Sequence, residues 1–361
     1  MAFKDITKVL YDGKIKLDYK DKAHRYYIRE RIDWDLPEEN PKAWGKAQRP
    51  KGTTTLLGDT LEKKGLMQWP KREALSELFG FYEAFENDFG ETIPAGYKKG
   101  VGELWDGDKL VSGTKESLIK TIDSASKRWQ RRQKKGADIG SVVHDAIEHF
   151  IKGLDFDIAE NYAWTIKESD YESEELRTKA MEEFDDDVTM ATNAFLQFQK
   201  WWLTINPVLY GAEDILYSLE HNVAGTYDGD IGIPREHHPR ATMWDKDIIR
   251  VVADWKTSKT HKEAPEGVNY DYYIQSAIYE MIRREMGFDP ADDLVIVSAR
   301  KDGGFNPIFA SELGYTVEEC IEWARAVIFC YRMRERGING LKAHAEAAEK
   351  TGEINSDKGE F

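Results

Sequence analysis

One short apolar stretch of this chain is followed directly by an acid and a lysine, the residue types that hold cations and polarise phosphates. In Val251-Val-Ala-Asp-Trp-Lys256, an acid and a lysine follow three small apolar residues. Because side chains alternate along a strand, Asp254 and Lys256 share one face while Trp255 points to the other. Charge at the end of an apolar strand is costly unless it is paired or bound to a metal. The stretch therefore predicts an ion pair or a metal site.

A second acidic segment, Ala224-Gly-Thr-Tyr-Asp-Gly-Asp230, is predicted to form the preceding strand. Asp228 and Asp230 share a face there, and Gly225 and Gly229 permit the close approach of another backbone or a ligand. Carboxylates from adjacent strands can hold a hard cation such as Mg²⁺ or Mn²⁺, and a nearby lysine can orient an attacking water. A plain Asp–Lys salt bridge at a sheet edge is the alternative, and the strands alone do not decide between the two.

Two helical pairs add polar groups that could reach the same place. His144 and Glu148 lie one turn apart on a predicted amphipathic helix, and Gln275 and Tyr279 lie one turn apart on a helix predicted over 269–287. The second helix follows the strand that ends at Lys256, as a crossover helix would. On its own, His144 is typical of a partly buried structural histidine.

The elements that must position these residues follow a simple order along the chain. A hairpin is predicted over 15–31, and helices are predicted over 137–153, 188–205 and 316–337. The predicted strands are Glu213–Glu220, Val223–Ile233, Ile248–Lys256, Leu294–Ala299 and Phe305–Ala310. A strand meander followed by a crossover helix and a further strand predicts an α/β fold, with a central mixed β-sheet flanked by helices. We divide the chain into an N-terminal hairpin plus helical region (1–130), a core (131–340) and a C-terminal tail (341–361).

Four motifs, taken in order, carry a family resemblance. They are Gly140-Ser-Val-Val-His144, Ala-Gly-Thr-Tyr-Asp228, Asp254-Trp-Lys256 and Gln275-Ser-Ala-Ile-Tyr279. The series resembles that of the RecB-like PD-(D/E)XK nuclease superfamily, in particular its phage-type exonucleases, and is similar to the mitochondrial genome maintenance exonuclease family. The resemblance covers about 135–300 directly and the N-terminal segments more weakly. It implies a restriction-endonuclease-like, PD-(D/E)XK nuclease core.

The resemblance also implies a metal centre. It places side-chain ligands at His144, Asp228 and Asp254, with the main-chain carbonyl of Trp255 as a further ligand, around Mg²⁺ or Mn²⁺.

Further catalytic roles follow from the same resemblance. Lys256 would position or activate the attacking water, and Gln275 and Tyr279 would contact the scissile region or support that lysine. Glu213 stands where relatives often carry an acid, and we expect it to matter little for catalysis. We expect Asp230 to support the site from behind or to lie at the surface.

Two departures from the family pattern concern histidines and cysteines. The segment between Asp228 and Asp254 predicts a long hairpin tip, in which His237 and His238 are expected to be exposed rather than metal ligands. Only two cysteines occur, Cys320 and Cys330, and both are predicted to be buried thiols. Two thiols exclude the four-cysteine iron–sulfur branch of the superfamily.

Charge is distributed unevenly along the 361 residues. The net charge of −15 argues mildly against a nucleic-acid partner, but the segment from Lys127 to Lys135 carries six cations in nine residues. Phosphate contacts and one stacking aromatic suit a single strand or a DNA end, whereas a solvated basic helix face is the alternative. The candidate DNA-binding residues are Lys127, Arg128, Trp129, Arg131, Arg132, Lys134 and Lys135.

The leading functional hypothesis is a Mg²⁺- or Mn²⁺-dependent DNA exonuclease, phage-encoded and acting in recombination, replication or repair. A non-catalytic DNA-binding protein that retains a nuclease fold and a structure-specific endonuclease are the alternatives. Expected partners are single-stranded DNA or duplex ends, with a single-strand annealing or binding protein as a further candidate. No apolar run of membrane-spanning length and no secretory signal is evident, so we expect a cytoplasmic protein, in the bacterial host if phage-encoded. Digestion polarity and oligomeric state stay open.

Overall fold

The computed structural model describes residues 5–20, 25–61, 105–106, 109–110, 134–168, 174, 178, 181–257 and 268–351. The boundary predicted near residue 130 lies outside them. None of the described helices is both long enough and apolar enough to cross a membrane.

An N-terminal antiparallel sheet contains the predicted hairpin. Strand β1 (Ile6–Leu10) pairs with β2 (Ile15–Lys20), which pairs with β3 (Arg25–Glu30). The hairpin prediction is confirmed, and β1 is an additional strand that the sequence reading missed. Residues of this sheet such as Leu17 and Ile28 form a small third core. They pack there against Ile215, Tyr217 and Ala224 of the central sheet.

The central sheet has six strands and mixed direction. They are β4 (Lys51–Gly52), β7 (Val208–Ser218), β8 (Val223–Pro234), β9 (Ile248–Lys256), β10 (Asp293–Ala299) and β11 (Phe305–Phe309). A two-residue pair, β5 (Trp105–Asp106) with β6 (Lys109–Leu110), lies apart from this sheet. The meander β7–β8–β9 and the pair β10–β11 are antiparallel, whereas β9 and β10 are parallel. A parallel pair needs a crossover connection, which the helix between β9 and β10 supplies.

Helices cover both faces of the central sheet. They are α1 (Thr53–Thr60), α2 (134–151), α3 (Ile158–Glu168), α4 (Phe184–Ile205), α5 (Tyr270–Glu285) and α6 (Val317–Thr351). Helices α1, α5 and α6 pack on the face that carries Val252 and Leu294, and α2, α3 and α4 pack on the face that carries Val251 and Val295. The alternation of side chains along β9 and β10 thus feeds two separate apolar cores. The predicted α/β fold with a mixed sheet flanked by helices is confirmed.

Three details of the sequence reading were wrong. Helix α6 continues to Thr351 instead of ending near 337, and Cys330 on it is exposed, although Cys320 is buried as predicted. His238 is buried rather than exposed, with its Nε2 3.3 Å from Oδ2 of Asp293 and its ring against Trp244. His238 is buried because the hairpin tip folds back onto Asp293 at the start of β10. The sequence of the hairpin tip does not reveal this contact.

Candidate metal-dependent active site

The site lies where two strands of the central sheet separate. Backbone pairing of β8 with β9 reaches only Gly229 and Ala253, whereas β9 stays paired with β10 as far as Lys256. Past that point the N–H of Trp255 donates to Oδ2 of Asp228 at 2.6 Å instead of to a backbone carbonyl. The separation therefore leaves Asp228 and Asp254 facing a gap between the strands.

Three side chains from three different elements converge at this gap. One ligand atom from each of His144 (α2), Glu213 (β7) and Asp228 (β8) lies within 4.8 Å of the others. Nδ1 of His144 is 3.8 Å from Oδ2 of Asp228, and the imidazole also hydrogen-bonds to the backbone of Trp255. The structure thus brings together the histidine, the β8 acid and the main chain of Trp255 that the motifs indicated.

Asp254 lies beside this cluster, outside the group of three whose ligand atoms fall within 4.8 Å of one another. It is 0% exposed, and its Oδ1 has no hydrogen-bond partner within the part of the chain that the structure describes. Its Oδ2 is ion-paired with Lys256, whose Nζ is 2.5 Å away and lies 5.0 Å from the ring centre of Tyr272. A buried carboxylate with unused acceptor capacity costs free energy unless a cation is present to use it.

Burial shifts the pKa of the acids and of the histidine in the gap. Burial raises the pKa of Asp228 and that of Asp254 to about 6, against the lowering effect of Lys256. Burial also raises the pKa of Glu213 well above its usual value, helped by the charge of Asp228. Burial and the charge of Lys256 lower the pKa of His144, whose side chain keeps 30% exposure. At neutral pH the imidazole is neutral and can donate a lone pair to a cation.

Lys256 remains an ammonium group in this setting. Burial lowers its pKa, but Asp254 and Asp228 raise it by more, and the net direction is upward. Its charge offsets part of the negative charge of Asp254 and Asp228.

Gln275 and Tyr279 form one hydrogen-bonded unit beside the site. Nε2 of Gln275 donates to the hydroxyl oxygen of Tyr279 at 2.8 Å, and both side chains are buried. The tyrosine ring lies against Gly225, where an added Cβ would stand 2.5 Å from Cε1 of the ring and 2.7 Å from Oγ1 of Thr53. The close approach expected at Gly225 is thus made by side chains from α5 and α1, and the N-terminal region contributes to this wall.

We expect Gly225→Ala to destabilise the protein by about 1–3 kcal/mol, because the new methyl group must displace Tyr279 or the backbone of β8. The free energy of unfolding in urea measures this. Gly58→Ala is the matched control, since a Cβ at Gly58 in α1 meets nothing within 4 Å. Equal stability of the two variants would contradict this packing.

The indole of Trp255 anchors β9 on the opposite face of the sheet, as alternation predicted. Its ring centre lies 4.9 Å from that of Phe198 and 6.4 Å from that of Trp201. A Cβ at Gly229 would stand 2.7 Å from the indole, so this glycine makes room for the ring. The packing of Trp255 on one face of the sheet thus fixes the position of β9, whose other face carries Asp254 and Lys256.

Asp230 does not reach the gap. Asp230 is buried, and its Oδ2 lies 2.6 Å from Nη2 of Arg250. Asp230 also pairs with Arg283 of α5, and Arg283 in turn pairs with Glu280. This ion network ties β8 and β9 to α5, which carries Gln275 and Tyr279.

The basic segment lies largely outside the described residues. Lys127, Arg128, Trp129, Arg131 and Arg132 are not described, and only Lys134 and Lys135 are, at the start of α2. Nζ of Lys135 is paired with Glu183 at 2.7 Å and with Asp187 at 2.6 Å, so this cation is already neutralised within the protein.

Comparison with known proteins adds little to this geometry. No protein-family model and no curated protein matches the chain. Among solved structures, the "Putative exonuclease" of Eubacterium rectale is 12% identical and covers 57% of this chain and 74% of its own, with a TM-score of 0.26. A similarity this low carries no argument, so the case for function rests on the site.

Glu213, which we expected to matter little for catalysis, lies in the cluster with His144 and Asp228. Its φ of +52° is rare for a residue other than glycine and breaks the alternation of β7. In the register of β7 with β8 it falls between Ala212, opposite Gly229, and Asp214, opposite Tyr227. Glu213 therefore sits across from Asp228 and belongs to the cluster. No local sequence signal marks a left-handed glutamate.

Proposed function

We propose that this chain is a metal-dependent nuclease that hydrolyses phosphodiester bonds in DNA. The observation that carries the proposal is the convergence of His144, Glu213 and Asp228 within 4.8 Å. Next to them is a fully buried Asp254, whose Oδ1 has no hydrogen-bond partner among the described residues and whose Oδ2 is paired with Lys256. An ordinary salt bridge needs neither the histidine nor the extra acids. Clustered, desolvated titratable groups of this kind are typical of functional sites.

The donor set fits a hard divalent cation. Carboxylate oxygens and one imidazole nitrogen suit Mg²⁺ or Mn²⁺, and no thiolate is among the described residues of the cluster. His144, Glu213, Asp228 and Asp254 would hold the cation, with the main-chain carbonyl of Trp255 as a further ligand. Bound there, the cation would supply Lewis-acid chemistry, lowering the pKa of a water and neutralising charge on the phosphate.

The chain's own groups complete the catalytic environment. Lys256 is an ammonium group, so it cannot accept a proton; it orients the attacking water and stabilises negative charge that builds on the phosphate. Gln275 and Tyr279 restrict the space above Gly225 and hold the α5 side of the gap in one geometry. The site needs no covalent enzyme intermediate.

We further propose DNA exonuclease activity in recombination, replication or repair, in a phage-encoded protein. The ordered motifs at His144, Asp228, Asp254–Lys256 and Gln275–Tyr279 support this refinement through their resemblance to RecB-like nucleases.

End-labelled single-stranded and duplex DNA, incubated with the full chain at fixed salt, test the proposal. We expect shortening of linear DNA with Mg²⁺ or Mn²⁺ and none with EDTA, and no nicking of covalently closed circles. Nicked circles would instead indicate an endonuclease. Binding without cleavage under every metal condition would favour the non-catalytic alternative and overturn the proposal.

Metal binding should weaken as the pH falls through about 6. Asp228 and Asp254 have pKa values raised to about 6 by burial, so protons compete with the cation below that pH, while His144 stays neutral because its pKa is lowered. Each competing proton costs up to about tenfold in apparent affinity per pH unit below its pKa. Calorimetric titration with Mn²⁺ between pH 5 and 7.5 measures the slope. Asp254→Asn should flatten it, and a pH-independent affinity in the unaltered protein would contradict this ligand set.

A further inference from the structure

An exposed aromatic pair lies at the start of α5. The ring of Tyr270 stacks on that of Trp323 in α6, with centres 5.5 Å apart and planes 10° apart. Tyr270 is nevertheless 57% exposed, so much of its ring surface is open to solvent. Tyr315, 38% exposed, extends the surface, with its ring centre 6.4 Å from that of Trp323. We call Tyr270 and Trp323 the aromatic platform.

The platform shares the first turn of α5 with Tyr272, which borders the proposed active site. Tyr272, two residues along α5, lies 5.0 Å from Nζ of Lys256. Positions two apart on a helix are separated by about 3 Å along the axis and about 200° around it. Tyr272 therefore faces the lysine while Tyr270 faces α6, and the first turn of α5 lies between them. A strand that crosses this turn could reach both.

Three carboxylates of α6 near the platform are engaged, whereas Asp271, next to Tyr270 on α5, has a buried Oδ1 without a hydrogen-bond partner among the described residues. Glu318 pairs with Arg284 at 2.6 Å, and Glu319 accepts hydrogen bonds from the backbone and side chain of Thr316. Glu322 pairs with Arg325. These contacts reduce the repulsion that a nearby phosphate backbone would otherwise meet.

We propose that Tyr270 stacks an unpaired nucleobase of the DNA strand whose phosphate lies at Lys256, so that the substrate is single-stranded DNA or an unpaired DNA end. The proposal rests on the nuclease function above. Every base presents a flat π face, and a ring already supported from behind by Trp323 pays little entropy to hold one. A paired base inside a duplex offers no such face, so the platform selects for unpaired ends.

Binding of a short labelled single strand, followed by fluorescence anisotropy at fixed salt, tests the platform. We use Lys256→Ala as the background so that the DNA stays intact. Adding Tyr270→Ala should weaken binding by roughly 5- to 150-fold, the range that one base–aromatic contact contributes. Tyr270→Phe, which keeps the ring, should bind within about twofold of the background. Phe329→Ala, which removes a 63% exposed ring elsewhere on α6, is the matched control and should have no effect.

A scan with a single abasic site separates stacking from structural damage. At one position of the strand, removing the base should weaken binding to the background protein yet leave binding to the Tyr270→Ala protein unchanged. Equal Kd values with and without Tyr270→Ala, or an abasic effect identical in both proteins at every position, would overturn the platform while leaving cleavage by the unaltered protein in place. Absence of cleavage by the unaltered protein would instead count against the nuclease function itself.

Discussion

Asp254→Asn and Lys256→Ala are each expected to abolish DNA cleavage while the protein stays folded and binds DNA. Asp254 is the fully buried acid whose Oδ1 has no hydrogen-bond partner among the described residues, so the amide removes the charge that a cation would neutralise. Loss of Lys256 removes the ammonium group paired with that acid. Removing a single electrostatic contact to the transition state costs on the order of 10²–10³-fold in kcat, and a lost metal ligand costs at least as much.

Single-turnover cleavage of end-labelled DNA measures this effect, and far-UV circular dichroism verifies the fold. Asp245→Asn is the matched control, since it neutralises a fully exposed carboxylate in the loop before β9. We expect it to cleave at the unaltered rate. Full activity in either site variant would reject the assignment of catalysis to this gap.

Asp230→Ala should destabilise the protein strongly, although Asp230 lies outside the site. Asp230 is 1% exposed and pairs with Arg283, which is 0% exposed, so the truncation removes one of the two acids that neutralise a buried guanidinium. Breaking a buried pair in this way costs about 3–5 kcal/mol. Urea unfolding of the variant and the unaltered chain gives the difference in free energy.

Glu322→Ala supplies the comparison for this experiment. The Glu322–Arg325 pair is exposed on α6, and such pairs contribute about 0–1 kcal/mol. Should Asp230→Ala fail to fold, Asp230→Asn keeps the shape of the side chain and still removes its charge. A loss below about 1 kcal/mol in the variant that folds would show that the network does not hold β8, β9 and α5 together.

The sequence by itself determined most of the architecture. Three-residue and four-residue apolar spacings identified α2, and the predicted bounds of β8 and β9 agree with the strands to within about two residues at each end. It also determined which side chains share a face, because a strand has a strict period of two: Asp254 and Lys256 lie on one face and Trp255 on the other. Local periodicity is sufficient for such statements.

Only the tertiary structure decided which groups meet. The gap exists because β8 separates from β9 at Gly229, whereas β10 stays paired with β9. Glu213 reaches the gap because its own backbone is left-handed, which breaks the alternation of β7. His238 is buried by a loop that folds back, and α6 continues beyond its last apolar contacts. The gap, the position of Glu213 in it and the burial of His238 depend on contacts between residues far apart in the chain, and such contacts leave no periodic trace in the local sequence.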